Sequence, residues 1–385
     1  MVEWKNLGEI ARRNKGIPIT ARQMSELASS DGNVRVFAAG STIADIDETK
    51  LPKNCAHKLP SIIVKSRGYI DFEFYEKPFT HKNEMWSYSF VNKQEGKFIY
   101  YFLTTKTELF RTKAKANSVK LPQLCVADTD NYLIPIPSIE EQNRIVNILD
   151  TFTSSIDNLK QQIAKRRKQF NWLLDKFYYA DKYELLDAAQ KEGVGIKTFD
   201  EIGTFTRGRR FVRTDIVEEG IPCIHYGDMY TYYGVCTDET PTHLTKEKAA
   251  KLRFASKGDV VIVGAGENDI DIGVGVAWLG EEDVVVHDAC FIFKHNMDPK
   301  YISYFTRSMN YHLQIRMGVV DGKICSISAK ELGRTLIPMR TPEEQSRIVS
   351  SLDTIEASIQ NLEAQLSQRE KQYEYYRNKL LTFEE

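Results

Sequence analysis

The chain has 385 residues, 42% of them hydrophobic and 27% charged, which is typical of a soluble globular protein with room for two ordinary domains. No apolar run approaches the ~18 residues of a membrane helix, and the first residues lack the apolar core of a signal peptide, so we expect a cytoplasmic protein without a membrane contact. The six scattered cysteines show no metal-ligand spacing, which predicts reduced thiols and no metal site.

The net charge of −1 is low for a protein that binds nucleic acid, because phosphate contacts usually require an excess of lysine and arginine. The charge is uneven along the chain. Residues 1–132 hold 20 Lys and Arg against 15 Asp and Glu, whereas residues 196–335 hold 17 against 20. Any basic surface in the second half must therefore be local.

Residues 1–136 are predicted to form the first domain. Short β-rich runs, such as residues 61–64, alternate with Gly, Asp and Asn turn signals, which indicates a mixed α/β (α+β) fold. Basic residues stand beside glycine and aromatic residues, in a pattern typical of surfaces that contact phosphates and guanine edges. The candidate DNA-binding residues of this domain are Arg12, Arg13, Lys15, Arg22, Lys65, Arg67, Lys113, Lys115 and Lys120.

Residues 137–195 are predicted to form a long helix and a linker. Apolar residues recur alternately four and three positions apart from Ile145 to Phe177, with one interruption at Arg166. This is the spacing of a heptad seam, by which two helices pair. A single amphipathic helix packed on its own domain gives a similar pattern and is the alternative for this segment taken alone.

Residues 196–338 are predicted to form a second domain of the same class, with β-rich runs at residues 260–263 and 284–286. Four arginines lie within seven residues around Gly208, inside an otherwise acidic domain. The candidate DNA-binding residues here are Arg207, Arg209, Arg210, Arg213, His225, Tyr226 and Lys323. A solvated basic loop is the alternative, but the similar cluster near the start of the first domain favours contact with DNA.

Residues 339–385 are predicted to form a second long helix, which repeats the first. Residues 133–170 align without a gap on residues 336–373, at a constant offset of 203, with 20 of 38 positions identical. The heptad seam returns from Ile348 to Leu380, with its interruption at Arg369. Two matched seams favour a pair of helices within the chain. Before about residue 97 the similarity is weak and the offset shifts to 192, which leaves the alignment of the two domain openings undecided.

Four residue pairs in the repeat carry a family resemblance. Ile-Pro, Glu-Gln, Ile-Val and Leu-Asp stand in this order within residues 134–150 and again within residues 337–353. Each set follows a variable domain and opens a heptad helix. This duplicated arrangement resembles the specificity subunits of type I restriction-modification systems, over essentially the whole chain.

The resemblance implies that each domain is a target recognition domain for one half of a bipartite site in double-stranded DNA. It also implies that the two helices form an antiparallel coiled coil, which sets the spacer between the half-sites and docks two modification subunits. We expect no cofactor in this chain, since the resemblance assigns S-adenosylmethionine to the modification subunits and ATP and Mg to separate restriction subunits. The candidate partner-binding residues are Gln142, Arg144, Gln345 and Arg347.

The sequence lacks the motifs of a catalytic DNA-modifying protein. A DNA methyltransferase needs a D/N-P-P-Y/F loop for the flipped base, and the nearest approach, residues 298–301, has Lys300 in place of the second proline. We therefore expect a non-catalytic recognition subunit. The alternatives are a coiled-coil scaffold that does not read DNA and a self-sufficient methylase or nuclease with a divergent site.

Overall fold

The computed structural model describes residues 2–118, 120–267, 271–320 and 322–383. The chain divides into two compact units, unit 1 made of residues 1–160 and 364–385 and unit 2 made of residues 161–363. The predicted boundaries at residues 136, 195 and 338 separate globular segments from helices, whereas each unit combines a globular part with a portion of both long helices. No helix in the described part of the chain is long and apolar enough to cross a membrane.

The globular part of unit 1 contains two sheets and several short helices. The strand order in its antiparallel four-stranded sheet is Arg12–Lys15, Trp86–Ser89, Ser61–Lys65 and Asp71–Tyr75. The order in its three-stranded sheet is Ile43–Ile46, Val34–Phe37 and Phe79–His81. A separate pair joins Glu3–Asn6 to Leu133–Ile136. The helices are Leu7–Ile10, Ala21–Leu27, Lys93–Thr105, Thr107–Asn117 and Val126–Asp130, with a 3-10 turn at Glu48–Lys50.

The globular part of unit 2 contains two five-stranded sheets. One has the order Gly203–Arg207, Cys290–His295, Val260–Val263, Gly275–Trp278 and Cys236–Thr237. The other has the order Ile216–Val217, His243–Leu244, Ile221–Ile224, Val284–Val286 and Phe254–Ala255. Two further pairs join Gly195–Thr198 to Leu336–Met339 and Ala265–Gly266 to Cys325–Ser326. The helices and 3-10 turns are Lys182–Glu192, Phe199–Ile202, Arg213–Asp215, Asp228–Thr231, Lys246–Ala249, Pro299–Phe305, Met309–Ile315, Arg316–Gly318 and Ala329–Gly333.

The two globular parts share one strand topology. In unit 1 the first strand of the four-stranded sheet, Arg12–Lys15, pairs with its last, Trp86–Ser89. In unit 2 the first strand of one five-stranded sheet, Gly203–Arg207, likewise pairs with its last, Cys290–His295. In each unit the other sheet contains a parallel pair, Val34–Phe37 with Phe79–His81 in unit 1 and Ile221–Ile224 with Val284–Val286 in unit 2. The domain openings therefore correspond, as the offset of 192 suggests, and the prediction of tandem α/β domains is confirmed.

Two long helices carry the heptad seams. The central helix runs from Ile139 to Tyr178 over 40 residues, and the C-terminal helix runs from Pro342 to Leu380 over 39 residues. Ile145 and Leu149 belong to the buried core of unit 1, because the first turns of the central helix pack on the globular part. For these first turns, the alternative of an amphipathic helix packed on its own domain is therefore correct.

Beyond the first turns, the two helices pair antiparallel within each unit. In unit 1, Phe152 stacks on Tyr376 with ring centroids 5.4 Å apart, and Lys160 Nζ lies 3.2 Å from Glu370 Oε1. The residue number rises along one helix as it falls along the other, which defines the antiparallel direction. In unit 2, Arg167 donates to Glu363 at 2.6 Å. The two ion pairs occupy equivalent positions of the repeat, since residues 160 and 167 correspond to 363 and 370.

A three-residue anchor ties each globular part to a long helix. In unit 1, Lys97 Nζ and the Tyr101 hydroxyl both donate to the Asp150 carboxylate at 2.7 Å. In unit 2, the residues at an offset of 203 do the same: Lys300 and Tyr304 donate to Asp353 at 2.5 and 2.6 Å. Hydrogen bonds to a charged, partly buried acceptor are among the stronger ones in proteins. The repeat therefore preserves the contact between the globular part and the long helix in both units.

Replacing Asp150 by alanine is expected to lower the free energy of unfolding by about 2 kcal/mol, because Tyr101 and Lys97 lose their acceptor in a partly buried site. Urea unfolding followed by circular dichroism measures this loss. Asp157 is the matched control, since it is an exposed acid on the same helix. Equal stability of the Asp150→Ala and Asp157→Ala variants would show that the anchor does not hold the fold.

Candidate nucleic-acid interface

In unit 2, a single glycine sets the path of the arginine-rich segment, residues 207–213. A Cβ atom at Gly208 would lie 2.2 Å from the His287 carbonyl oxygen, a distance that no larger residue tolerates. The Gly208 N–H donates to the Cys290 carbonyl at 2.9 Å, and the Arg209 N–H donates to the Val286 carbonyl at 3.1 Å. The main chain of the segment is therefore fixed against the sheets before any ligand binds.

The arginine side chains of this segment differ in their freedom. Arg207 Nε donates to the Asp288 carbonyl at 2.7 Å, and an Arg209 guanidinium nitrogen donates to the Lys251 carbonyl at 2.8 Å. Arg210 and Arg213 are exposed and have no hydrogen-bond or ion-pair partner within the described ranges. These two guanidinium groups are free to bind phosphate or a guanine edge.

Two histidines pack against the arginine-rich segment, residues 207–213. His225 and His287 are buried with ring centroids 4.9 Å apart, and burial lowers the pKa of both rings. His287 Nε2 lies 3.0 Å from the Phe211 carbonyl and Nδ1 accepts from the Ala289 N–H at 3.1 Å, so the proton is on Nε2. The half-buried Tyr226 packs on the same ring. The position of His225 favours this supporting role over the predicted direct contact with DNA.

Unit 1 builds the same arrangement around Gly16. A Cβ atom there would lie 2.3 Å from the Lys82 carbonyl oxygen, and the next residue, Ile17, donates to the His81 carbonyl at 2.7 Å. His57 Nε2 lies 3.2 Å from the Lys15 carbonyl, and its ring centroid is 5.8 Å from that of His81. Gly16 and Gly208 thus hold a basic segment in equivalent positions, since the hydrogen bond from Ile17 to His81 corresponds to that from Arg209 to Val286. Histidines lie beside both segments but at different positions of the repeat.

The basic side chains of this segment lie on the strand Arg12–Lys15. Arg12 and Lys15 are exposed, and neither side chain has a polar partner in the part of the chain that the structure describes. Arg13 Nε lies 3.4 Å from an Asp130 carboxylate oxygen. The buried Asn14 amide donates to two serine hydroxyls of the neighbouring strand, which fixes the strand from its other face.

A second basic surface in unit 1 brings together segments that are distant in sequence. The Gly68 N–H donates to the Pro122 carbonyl at 2.9 Å, so the turn after Lys65 lies against residues 122–124. The exposed basic residues of this second surface are Arg67, Lys113, Lys115 and Lys120. Lys65 itself is paired with Glu73 at 2.8 Å and is mostly buried.

Sequence reasoning missed two basic groups at these surfaces. Arg111 lies over the exposed ring of Tyr69 at 4.8 Å, beside Gly68, whose φ of 77° turns the chain outward. In unit 2, Arg253 donates to the Arg207 carbonyl at 2.5 Å. Gly68, a turn residue, was the only feature of the sequence that indicated a surface position for Tyr69. No residue pattern indicated a role for Arg253.

Comparison with known proteins supports the resemblance. A family model described as the type I restriction modification DNA specificity domain matches residues 1–166. The chain is 29% identical over 405 residues to the type I restriction enzyme EcoR124I/EcoR124II specificity subunit of Escherichia coli, covering 99% of this chain and 94% of that protein. A putative type I specificity subunit of Mycoplasma pneumoniae, S.MpnORF289P C-terminus, is 31% identical over 125 residues, covering 29% of this chain and 83% of that protein. The chain belongs to the family of type I restriction-modification specificity subunits.

Other members of the specificity-subunit family match along the whole chain. A putative type I restriction enzyme specificity subunit of Haemophilus influenzae, S.HindORF215P, is 25% identical over 419 residues, covering 99% of this chain and 96% of that protein. The crystal structure of a type I restriction-modification S subunit from M. genitalium has a TM-score of 0.64 at 18% identity, covering 100% of this chain and 97% of that one. That likeness shows a shared fold.

Two predicted DNA-binding residues of this specificity subunit stand apart from the surfaces above. Arg22 lies on the helix Ala21–Leu27 and pairs with Glu26 at 2.7 Å. Lys323 is exposed, and no hydrogen bond or ion pair within the described chain joins it to residues 207–213. Their role in binding DNA stays a prediction.

The predicted partner-binding residues divide into two kinds. Gln142 is buried, and its amide donates to the Pro137 carbonyl at 3.0 Å. Gln345 is buried as well; it donates to the Arg340 carbonyl at 2.8 Å and accepts from the Asp298 N–H at 2.8 Å. Both glutamines hold the start of their own helix, so direct contact with a partner does not fit their position. Arg144 and Arg347 are exposed and stay candidates.

The buried His81 gives this specificity subunit a stability that depends on pH. Burial lowers the pKa of His81 to about 4, against 6.5 in an unfolded chain. Between these pH values the unfolded chain binds a proton that the folded chain excludes. The free energy of unfolding therefore decreases as the pH is lowered, by up to about 3 kcal/mol in total. Above the unfolded pKa the ring is neutral in both states and contributes no pH dependence.

We therefore expect His81→Asn to flatten the pH dependence of unfolding on the acid side of neutrality. Urea midpoints of the two proteins, taken at neutral pH and again at a pH between the two pKa values, measure the difference. The wild type should lose more stability on acidification than the variant does. A variant that loses as much as the wild type would mean that His81 does not carry this dependence.

Proposed function

We propose that this protein is the DNA-recognition subunit of a type I restriction-modification complex, in which the globular part of each unit reads one half of a bipartite site. One observation carries the proposal: both units hold a basic segment against the end of a neighbouring strand, by means of glycines at equivalent positions, Gly16 and Gly208. The names of the curated relatives favour recognition over the scaffold alternative.

The chemistry of the segments fits a DNA ligand. A guanidinium group can donate two parallel hydrogen bonds to a phosphate or to the O6 and N7 atoms of guanine. Because the backbone under Arg210 is already fixed by hydrogen bonds, little main-chain entropy is lost on binding. Burial lowers the pKa of His225 and of His287, which disfavours a positive charge on these rings, whereas the arginines of the segment carry theirs at the surface.

The two units differ in the groups that they present, which supports recognition of two different half-sites. Unit 2 concentrates four arginines in residues 207–213, whereas unit 1 combines Arg12 and Lys15 with the separate surface around Arg67. Arginine favours guanine, and lysine makes less directional phosphate contacts. Equivalent scaffolds with different side chains suit a protein that reads an asymmetric bipartite sequence.

The proposal includes the partners of the complex. Two modification subunits bind this chain, carry S-adenosylmethionine and methylate adenine, while restriction subunits carry ATP and Mg. The chain itself holds no cofactor, does no chemistry and acts in the cytoplasm on double-stranded DNA. The missing methyltransferase motif at residues 298–301 supports this division of labour.

Methyl transfer from labelled S-adenosylmethionine to duplex DNA tests the proposal. We expect no transfer by the purified chain, and transfer to adenine in a bipartite motif when the modification subunit of the same system is added. The modification subunit alone is the control and should show no sequence preference. Transfer by the isolated chain, or a motif that does not depend on it, contradicts the proposed function.

A further inference from the structure

An exposed aliphatic side chain beside a lysine occurs at the same position of the repeat in both units. In unit 1, the Leu121 loop (residues 120–121) has a lysine followed by Leu121, which is 42% exposed. In unit 2, at the offset of 203, the Ile324 loop (residues 323–324) has a lysine followed by Ile324, which is 62% exposed. Apolar residues scattered singly on a surface need no explanation. Their recurrence at equivalent positions beside a lysine indicates a shared role.

The Leu121 loop lies at the end of the four-stranded sheet where the basic segment of unit 1 also lies. Lys15 and Val64 both pair with Trp86, so the strands that contain them end side by side. Two residues after Val64, the Ser66 carbonyl accepts a hydrogen bond from the Leu124 N–H at 2.9 Å. This bond, three residues after the apolar side chain, attaches the Leu121 loop to that end of the sheet.

The Ile324 loop has the same attachment in unit 2. Arg207 and Ile262 both pair with Phe291, so the strands that contain them also end side by side. Two residues after Ile262, the Gly264 carbonyl accepts from the Ile327 N–H at 2.9 Å, and this donor again stands three residues after the apolar side chain. The Ile324 loop is thus attached to the end of the sheet at which the arginine-rich segment begins, through residues other than its own lysine.

A duplex bound at these two sheet ends meets two kinds of side chain. Arginine and lysine donate to phosphates and to guanine, whereas an aliphatic side chain has no hydrogen-bonding group. Among the base edges in the major groove, the C5-methyl of thymine is the apolar group that such a side chain can contact. Packing Leu121 or Ile324 against that methyl removes apolar surface from water on both partners, which is favourable.

We propose that Leu121 and Ile324 each contact the C5-methyl group of one thymine in the major groove, while the lysine that precedes each of them binds a neighbouring phosphate. This inference rests on the proposed function, because it requires that each unit bind one half-site. It adds that each half-site contains an A·T pair at the position of this contact. The two aliphatic side chains then favour thymine over cytosine without a hydrogen bond, since cytosine lacks the methyl group.

Deoxyuridine substitution tests this contact, because uracil keeps the base pair of thymine and lacks only the C5-methyl. The full-length chain, assembled with its modification subunit, is titrated with bipartite duplexes in which the thymines of the two half-sites are replaced one at a time. For the wild type we expect one position in each half-site at which uracil weakens binding about fourfold, the effect of one buried methyl group. Leu121→Ala should abolish the difference between thymine and uracil in one half-site, and Ile324→Ala should abolish it in the other.

Two exposed leucines elsewhere in the units serve as matched controls. Leu59 is 40% exposed and precedes the strand Ser61–Lys65, at the end away from Val64, and Leu186 is 42% exposed on the helix Lys182–Glu192. Leu59→Ala and Leu186→Ala should keep the sensitivity to uracil in both half-sites. Thermal melts of all four variants should match the wild type, because the replaced side chains are exposed.

The outcomes separate the thymine contact from the proposed function. If the wild-type complex binds a bipartite site and tolerates uracil at every position, the contact is wrong while the proposed function stands. The contact is also wrong if Leu121→Ala and Ile324→Ala weaken binding but keep the sensitivity to uracil, since the side chains then act elsewhere on the duplex. A complex that binds no bipartite site contradicts both proposals.

Discussion

Replacing Arg210 and Arg213 together by alanine is expected to weaken binding to the bipartite DNA site by about 100-fold or more, with no change in thermal stability. Both side chains are exposed and have no polar partner within the described chain, so the folded protein loses nothing. A guanine contact is worth about 1–3 kcal/mol of discrimination, and each lost phosphate contact lowers the slope of log K against log salt by about 0.9. Titration of a labelled duplex at several salt concentrations measures both effects.

A matched control separates specific contacts from net charge. Arg334 and Lys257 are exposed basic residues of the same unit, each paired with a glutamate. Their double replacement by alanine removes the same charge and should change specific binding only slightly. Equal losses in the two double variants would mean that the segment 207–213 supplies general attraction and does not read a half-site.

Removing one heptad from each long helix is expected to shorten the preferred gap between the two half-sites by up to about three base pairs. Deleting residues 160–166 and 363–369 removes about 10 Å of helix, from ~1.5 Å per residue, and duplex DNA rises ~3.4 Å per base pair along each strand. The deletions join Leu159 to Arg167 and Leu362 to Glu370, so the seam spacing continues. They also leave Arg167 and Glu370, the remaining members of the two ion pairs, available to pair with each other.

Because DNA is twisted, a second outcome for this variant also agrees with the spacer role of the helices. Three base pairs rotate the duplex by roughly 100°, at ~10.5 base pairs per turn. The shortened protein therefore either prefers a shorter gap or recognises each half-site without binding both. Binding assays on duplexes with a series of gaps measure this. If the variant folds and keeps the original gap at full affinity, the helices do not set the spacer.

The sequence repeat made it possible to relate the contacts between globular part and long helix in one unit to those in the other. The constant offset of 203 relates Lys97 and Asp150 to Lys300 and Asp353, and the structure gives both pairs the same ion pair. The weaker offset of 192 already related Gly16 to Gly208. The strand order was beyond reach, because strands of two to six residues pair across long stretches of chain, as Arg12–Lys15 does with Trp86–Ser89.

Two features of the long helices could not be predicted from the heptad spacing of their apolar residues. An apolar residue at a seam position packs equally well on a globular core or on a partner helix, so the spacing could not show that Ile145 lies in the core of unit 1. The glutamines at positions 142 and 345 looked like surface groups, since polarity does not reveal burial when an amide can bond to nearby backbone.

The central claim is that one chain reads two half-sites, one with each unit. Selection from a pool of random duplexes by the assembled complex, followed by sequencing of the retained DNA, tests it most directly. We predict two short defined blocks separated by a gap of random sequence and fixed length, and loss of one block alone in the Arg210→Ala, Arg213→Ala protein. A single continuous block, or two blocks that are lost together in that variant, would contradict the account.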